Sequence, residues 1–335
     1  MSTLKEVAEQ ANVSISTVSR VLNDLPGVSA PTRLRVLEAA RRLGYTANMS
    51  ARGLSTDRTY NVGIISYRRP PQVMMGTVSI GHVGMEEGLA ESGYHAISMR
   101  VDQEMMQDNR GLSMIHEKRV DGLILLGPEL ETRYILQLVS TGIPIVLFDN
   151  MLEETPVNCV LSDNARGAYQ VTRHLLTVHG YRQTVFLSGP PKWLSSRERY
   201  AGYCLAAAEA GVEPHRIVMA DTTVDTGQEA MRTALETIPD LTAVIAVNDA
   251  TAWGAGRACK EAGLSIPGDI AIVGYDNVEI ARLHEPPLTT VNMQMQEMGW
   301  HAARRLVEII ENGAKPALCI RMAPEIIVRD SCGTH

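Results

Sequence analysis

The sequence predicts an α/β chain in two parts. A small all-helical headpiece with a helix-turn-helix comes first, and a larger body built on two parallel, doubly wound sheets follows. Three observations carry this. Residues 3–44 hold three short amphipathic helical patterns, with a tight turn between the first two. After Tyr60, short β-branched runs alternate with helical segments, which indicates parallel strands covered on both faces. Charge is divided as well: residues 1–60 carry eight basic and five acidic side chains, net +3, in a chain of formal net charge −7. A basic head on an acidic body suits a module that meets phosphate while the body stays off it.

In chain order, Thr3 and Glu6 have capping-box spacing, so a helix starts at Leu4. Leu4, Val7, Ala8 and Ala11 give it one apolar face. Asn12 suits the turn. Ser14 caps a second helix whose Val18, Val21 and Leu22 face inward. Ile15, Ser16, Ser19 and Arg20 are left facing outward. Such short polar or methyl-bearing groups, with one guanidinium, match base edges, thymine methyls and phosphates in a major groove. The same spacing also fits a plain helical hairpin with a solvated face. Ser29 caps a third helix with Pro31 in its first turn, an apolar stripe of Val36, Ala40 and Leu43, and Gly44 as its stop. Tyr45 to Thr56 is then polar and small apart from Leu54.

Val7-Ala8, Val13-Ser14, Thr17 through Asn23, Val28-Ser29, Gly44-Tyr45 and Asn48 through Leu54 resemble, in order and without gaps, the headpiece and hinge of the lactose-repressor (LacI/GalR) family of bacterial transcription regulators. The resemblance covers nearly the whole chain. It implies a headpiece at 1–47, a hinge at 48–60 and an effector-binding and dimerisation core at 61–335. That core would resemble periplasmic sugar-binding proteins, with an N-subdomain at about 61–160 and 292–320 and a C-subdomain at about 161–290 and 323–335. Three crossings are expected near Cys159–Asp163, Thr289–Asn292 and Ile320–Ala323. A homodimer would bind a palindromic operator, with Ile15, Ser16, Ser19, Arg20 and Asn23 on the DNA and Tyr45 buttressing the headpiece. Asn48, Ala51 and Leu54 would lie in a hinge helix, with Leu54 wedged between base steps of the minor groove.

The body's candidate strands are Val62–Ser66, Ala96–Val101, Gly122–Leu126, Pro144–Asp149, Cys159–Ser162, Thr184–Ser188, Val218–Ala220, Ala243–Val247 and Ile270–Tyr275. So many strands fit two sheets better than one. Helical segments between them include Gly84–Ser92, Asn109–Glu117, Ala165–His179, Arg199–Ala210, Gly227–Glu236 and Ala252–Ala262. Ligands of open parallel sheets sit beyond the carboxyl ends of the strands. Asp149, Asn248 and Asp276 stand at such ends, and Ser188-Gly-Pro-Pro191 leads into Trp193 and Arg199. Each has a plainer reading, as a helix cap, a loop anchor or a solvated helix face. The resemblance implies that Arg199, Asp276, Asn248 and Asp149 contact an effector. A sugar would pair its hydroxyls with these groups and stack its apolar face on Trp193, with Tyr67 as a second stacking surface or a mere rim residue. A purine would also stack, but needs fewer acceptors. Where many relatives have an aromatic residue after the seventh strand, this chain has Thr222-Thr-Val-Asp225. A mono- or oligosaccharide is the expected effector, and the sign of the switch is not written in the sequence.

Other functions find little support. There is no Gly-x-Ser-x-Gly elbow, Walker loop or His-Glu-x-x-His, so neither a catalytic residue nor a cofactor is expected. An α/β enzyme or a transport-type sugar binder with a fused headpiece is the alternative class, and a gel shift with genomic fragments separates them. Five cysteines and nine histidines are scattered without metal-ligand spacing, so idle thiols and no metal are expected. His174 and His179, five apart, read as satisfied or solvent-exposed. No secretory pattern opens the chain and no apolar run spans a membrane, so a cytoplasmic, nucleoid-associated protein is expected. No leucine heptads follow Asp330, so the homodimer is expected to go no further, pairing through Val83–Ser92 and Ala252–Ala262 with Trp253 as an anchor.

Overall fold

The computed structural model describes residues 2–22, 26–45, 58–68, 77–108, 110–313 and 315–333. The chain divides into two units, Met1–Tyr60 and Asn61–His335.

The first unit holds α1 (Leu4–Ala11), α2 (Ile15–Leu22) and α3 (Ala30–Arg42). Thr3 and Glu6 form the capping box, each side chain bonded to the other's backbone N–H. Asn12 takes the left-handed conformation, φ 52°, which ends α1. The Ser14 hydroxyl accepts the Thr17 N–H at 3.1 Å and starts α2. Ser29 differs: its hydroxyl meets Thr32 Oγ1 at 2.9 Å and makes no bond to the helix backbone. Val7, Ala8, Ala11, Val18, Val21, Val36, Ala39 and Ala40 form the core, with Leu4, Leu22, Leu43 and Tyr45 packed at its edge. Every fully buried side chain there is a valine or an alanine, so the helices approach closely on little apolar area.

The second unit contains two parallel sheets. The six-stranded sheet has β1 (Asn61–Tyr67), β2 (His95–Val101), β3 (Gly122–Leu126), β4 (Ile145–Phe148), β5 (Asn158–Ser162) and, from late in the chain, β11 (Cys319–Met322). Its order is β11-β5-β4-β3-β1-β2. The four-stranded sheet, ordered β7-β6-β8-β9, has β6 (Thr184–Ser188), β7 (His215–Val218), β8 (Ala243–Ala246) and β9 (Ala271–Val273). β3, β4, β6, β8 and β9 are buried along their whole length, as strands covered on both faces must be. The seventh strand runs over His215–Val218 rather than Val218–Ala220. It is an edge strand, so half-exposed polar residues are tolerated and no apolar run marks it.

Thr132–Val139 (α7) and Met295–Asn312 (α13) are helices that the pattern of apolar runs does not reveal. Numbering follows chain order: α4 is Thr77–Ala90, α5 Gln103–Gln107 and α6 Leu112–His116. After α7 come α8 (Asn164–Thr177), α9 (Leu194–Glu209), α10 (Val224–Thr237), α11 (Asp249–Glu261) and α12 (Glu279–Leu283). α13 lies along α4 at backbone contact: a Cβ on Gly84 would stand 1.8 Å from the Gln296 carbonyl oxygen. Only glycine permits that approach.

The chain leaves the six-stranded sheet after Ser162, returns after Asn292 and leaves again after Met322. The passages are bonded to one another. β10 (Thr290–Asn292) pairs antiparallel with β12 (Glu325–Ile327), and the Asp163 N–H donates to the Met322 carbonyl at 2.9 Å. Among the described residues no helix is long and apolar enough to cross a membrane.

Candidate functional site

On the headpiece, α2 buries Val18 and Val21 and turns its other face outward. Ile15 is 50 % exposed, Ser16 and Arg20 are exposed, and Ser19 is half-exposed. An isoleucine left in water at the start of a helix, beside hydroxyls and a guanidinium, forms a reading surface of the kind a major groove accepts. Arg20 reaches the Pro26 carbonyl only at 3.5 Å. Tyr45 is half-buried and packs against the headpiece core. Asn23, Asn48, Ala51 and Leu54 lie outside the described residues.

In the second unit a cleft of about 80 Å³ opens between the two sheets. Strand ends build both walls. Leu126 to Glu129 follow β3 and Phe148–Asp149 close β4, while Trp193, Thr222, Asn248 and Asp276 follow β6, β7, β8 and β9. Ser195, Ser196 and Arg199 come from the first turns of α9, and Met293 and Met295 from the passage into α13.

Arg199 organises this floor and is only 5 % exposed. Its Nε donates to Asn164 Oδ1 at 2.9 Å, and Nη1 donates to the Val247 carbonyl and to Asp276 Oδ1 at 3.2 Å. Nη2 donates to Met293 Sδ at 3.0 Å, and the Tyr275 ring lies 3.8 Å from the guanidinium. Four of its five N–H groups are thus engaged within the protein. Arg199 thereby orients Asp276 within the floor of the cleft. Asp276 sits at φ 107°, a conformation costly for a residue with a Cβ, and its N–H is tied to the Val291 carbonyl at 2.9 Å. Asp149 is also left-handed, φ 52°, with its N–H on Val160.

Asn248 has two roles at once. Its Oδ1 accepts the Thr251 N–H at 2.8 Å as the cap of α11, its Nδ2 donates to the Thr222 carbonyl at 3.2 Å, and it lines the cleft. Trp193 is 8 % exposed and forms one wall. Tyr67 does not join them. It packs with the cluster around Ile65, Val101 and Met106, because Ile65 and Tyr67 share a strand face by the two-residue period and that face is covered by helices.

Glu129, Phe148, Ser195, Ser196, Thr222 and Met293 line the cleft without having been anticipated. Signals for three of them were present: Glu129 follows β3 as Asp149 follows β4, and Ser195 and Ser196 precede Arg199 by four and three residues on one helix face. Beneath the cleft, buried Asp249 accepts from Thr290 Oγ1 at 2.6 Å and from the Val278 N–H at 2.9 Å. Burial, and then the neighbouring charge of Asp276, raise its pKa to about 8. His174, His179 and Cys332, expected to be scattered, converge elsewhere on the same unit.

Comparison with known proteins gives this geometry its context. The family described as bacterial regulatory proteins, lacI family, matches residues 3–48, and a periplasmic binding protein-like domain matches residues 172–332. The HTH-type transcriptional repressor PurR of Pasteurella multocida (strain Pm70) is 32% identical over 99% of this chain and 98% of its own. The HTH-type transcriptional regulator CelR of Thermobifida fusca is 32% identical over 98% of each. Among solved structures, a lac repressor dimer bound to operator and the anti-inducer ONPF superposes with a TM-score of 0.83 at 27% identity, covering 99% of each chain. A CelR–cellobiose complex superposes at 0.74 with 30% identity, covering 99% of this chain and 100% of the other. With an outward-facing reading helix, a cleft at two sets of strand ends and relatives of this identity along its whole length, the chain belongs to the lacI family of bacterial regulatory proteins and is a ligand-responsive, DNA-binding transcriptional regulator.

Proposed function

We propose that this regulator is a homodimeric repressor of sugar-utilisation genes, switched by a mono- or oligosaccharide that binds in the cleft. One observation carries the ligand class. Among the described residues, three carboxylates (Glu129, Asp149, Asp276) and one cation, Arg199, line a cleft flanked by Trp193 and Phe148. Carboxylates accept from vicinal hydroxyls, and an aromatic ring covers the C–H face of a pyranose. An anionic ligand would meet net repulsion. A second groove shares Pro128 and Glu129 with the cleft, which leaves room for more than one sugar ring. The CelR relative, solved as a cellobiose complex, is consistent with this class.

Effector contacts from both subdomains favour their closure, and only such differential binding shifts an equilibrium. In the dimer, closure turns the two N-subdomains against each other and changes the pairing that a palindromic operator requires. α4 and α11 are the proposed dimer faces. Val83 is 46 % exposed on the first; on the second, half-buried Trp253 stands edge-on to His284 at 5.7 Å. The residues proposed to touch DNA are Ile15, Ser16, Ser19, Arg20 and Asn23, with Asn48, Ala51 and Leu54 acting from the hinge.

A thermal-shift screen of saccharides and purine bases on the whole chain, followed by operator binding with each hit, tests this. A saccharide at a hundred times its Kd should add about 2.7 kcal/mol of stability. A purine hit without a saccharide hit removes the sugar assignment. A sugar that stabilises Asp276→Ala as well as the wild type places the site elsewhere.

A further inference from the structure

Two histidines five residues apart and a cysteine from late in the chain meet on the body, and none of them is among the residues that line the cleft. His174 lies in the last turn of α8, His179 just beyond it, and Cys332 in the closing turn Asp330–Cys332. The two imidazole Nε2 atoms are 3.2 Å apart, and His174 Nε2 is 3.6 Å from Cys332 Sγ. All three donor atoms fall within 4.8 Å of one another. A tetrahedral zinc ion, with bonds of about 2.0–2.1 Å to nitrogen and about 2.3 Å to sulfur, separates two nitrogens by about 3.4 Å and a nitrogen from a sulfur by about 3.6 Å. The two separations seen here are close to those edges. The rings stand edge to face at 78° rather than stacked.

The surroundings fix the imidazoles and leave them reachable. Cys332 is fully buried, while both histidines are half-exposed, which leaves a route for an ion. The Thr289 hydroxyl lies 3.0 Å from Cys332 Sγ, within donating distance of a thiolate. Gly333 sits at φ 131°, and a Cβ there would lie 2.6 Å from His179 Nδ1, so the turn is shaped around that ring.

We propose that His174, His179 and Cys332 form a binding site for a divalent transition metal of the zinc class. Two imidazoles and a thiolate select against magnesium and calcium, which require oxygen ligands. On binding, the Cys332 proton passes to solvent and both imidazoles coordinate in their neutral form. The neighbouring Ser331 hydroxyl accepts the Thr289 N–H at 2.9 Å and donates to the Ile272 carbonyl at 2.6 Å. A metal here therefore staples α8 to the turn that anchors the second passage between the subdomains.

The test is metal titration of the whole chain after chelator treatment. Cobalt(II) serves as the spectroscopic probe and zinc(II) is measured by competition with a chromogenic chelator. One ion per chain is expected, giving a thiolate-to-cobalt charge-transfer band and the intense visible bands of tetrahedral cobalt. Cys332→Ser should lose the charge-transfer band. His174→Gln and His179→Gln should each weaken zinc binding by at least about tenfold. Cys319→Ser, altering a thiol on another sheet, should change neither reading. Zinc should raise the melting midpoint of the wild type but not of Cys332→Ser. If Cys332→Ser does not fold, the half-exposed His179→Gln carries the test. Absence of stoichiometric binding would overturn the proposal. So would a charge-transfer band that survives in Cys332→Ser or disappears in Cys319→Ser.

Discussion

The outer face of α2 and the floor of the cleft hold their side chains in opposite ways. Ile15, Ser16 and Arg20 are exposed, and the hydrogen bonds Arg20 makes are long or absent from the helix it stands on. Arg199, Asp276 and Asn248 are held by bonds to Asn164, Val247, Met293, Thr222 and Thr251 before any ligand arrives. The first surface can change its side chains at little cost in stability. The second cannot, because each polar group named there is also part of the scaffold.

The sharpest way to break this comparison is Arg199→Ala. It removes the ion pair to Asp276 and the donors to Asn164, Val247 and Met293, so stability should fall by about 3–5 kcal/mol in urea unfolding, together with loss of effector binding. A near-neutral result would mean the floor is not scaffold.

Asp249 supplies a second test through pH. Its pKa rises from 3.8 to about 8 on folding, so above the unfolded value the native state binds more protons than the unfolded chain. Stability should therefore decline between about pH 4 and pH 8, with a slope of at most about 1.4 kcal/mol per pH unit from this one group. Asp249→Asn should flatten that decline. An unchanged profile would assign the pH dependence to other groups.

Val18→Ala probes the headpiece core. Two buried methyl groups and the cavity they leave are worth about 2 kcal/mol, a large share for a core made of valines and alanines. Operator affinity should drop while effector affinity, measured on the same protein, stays the same. The smallest expected effect on stability is that of Ile15→Ala, within about 0.5 kcal/mol. The sequences it selects from a random operator library should nevertheless differ from those of the wild type. Unchanged selection would move base recognition away from this residue.

The headpiece was legible because its signals are local. Thr3, Glu6, Asn12, Ser14 and Gly44 each act within one turn of themselves, and the structure uses them there. The buried strands were legible through their unbroken apolar runs. Met295–Asn312 was not, since its packing is set by Gly84 and Gly88 on α4 and by Gly299 on its own face, and is invisible to periodicity alone. In the cleft, the rule that ligands meet strand ends found Asp149, Asn248 and Asp276 but missed Glu129. Tyr67 packs instead with the cluster around Ile65, as the last position of a strand that still obeys the pleat. The pairing of His174 with Cys332 joins residues 158 positions apart, and no spacing rule reaches that far.

The passages between the subdomains have a mechanical consequence. β10 and β12 are laced together, and the first passage is tied to the third through Asp163 and Met322. Three separate strings would let one half of the body wobble against the other along several independent directions, and binding energy would be spread among them. Laced passages move together: a displacement of the first is carried to the third through Asp163 and Met322, and one of β10 to β12 through their shared ladder.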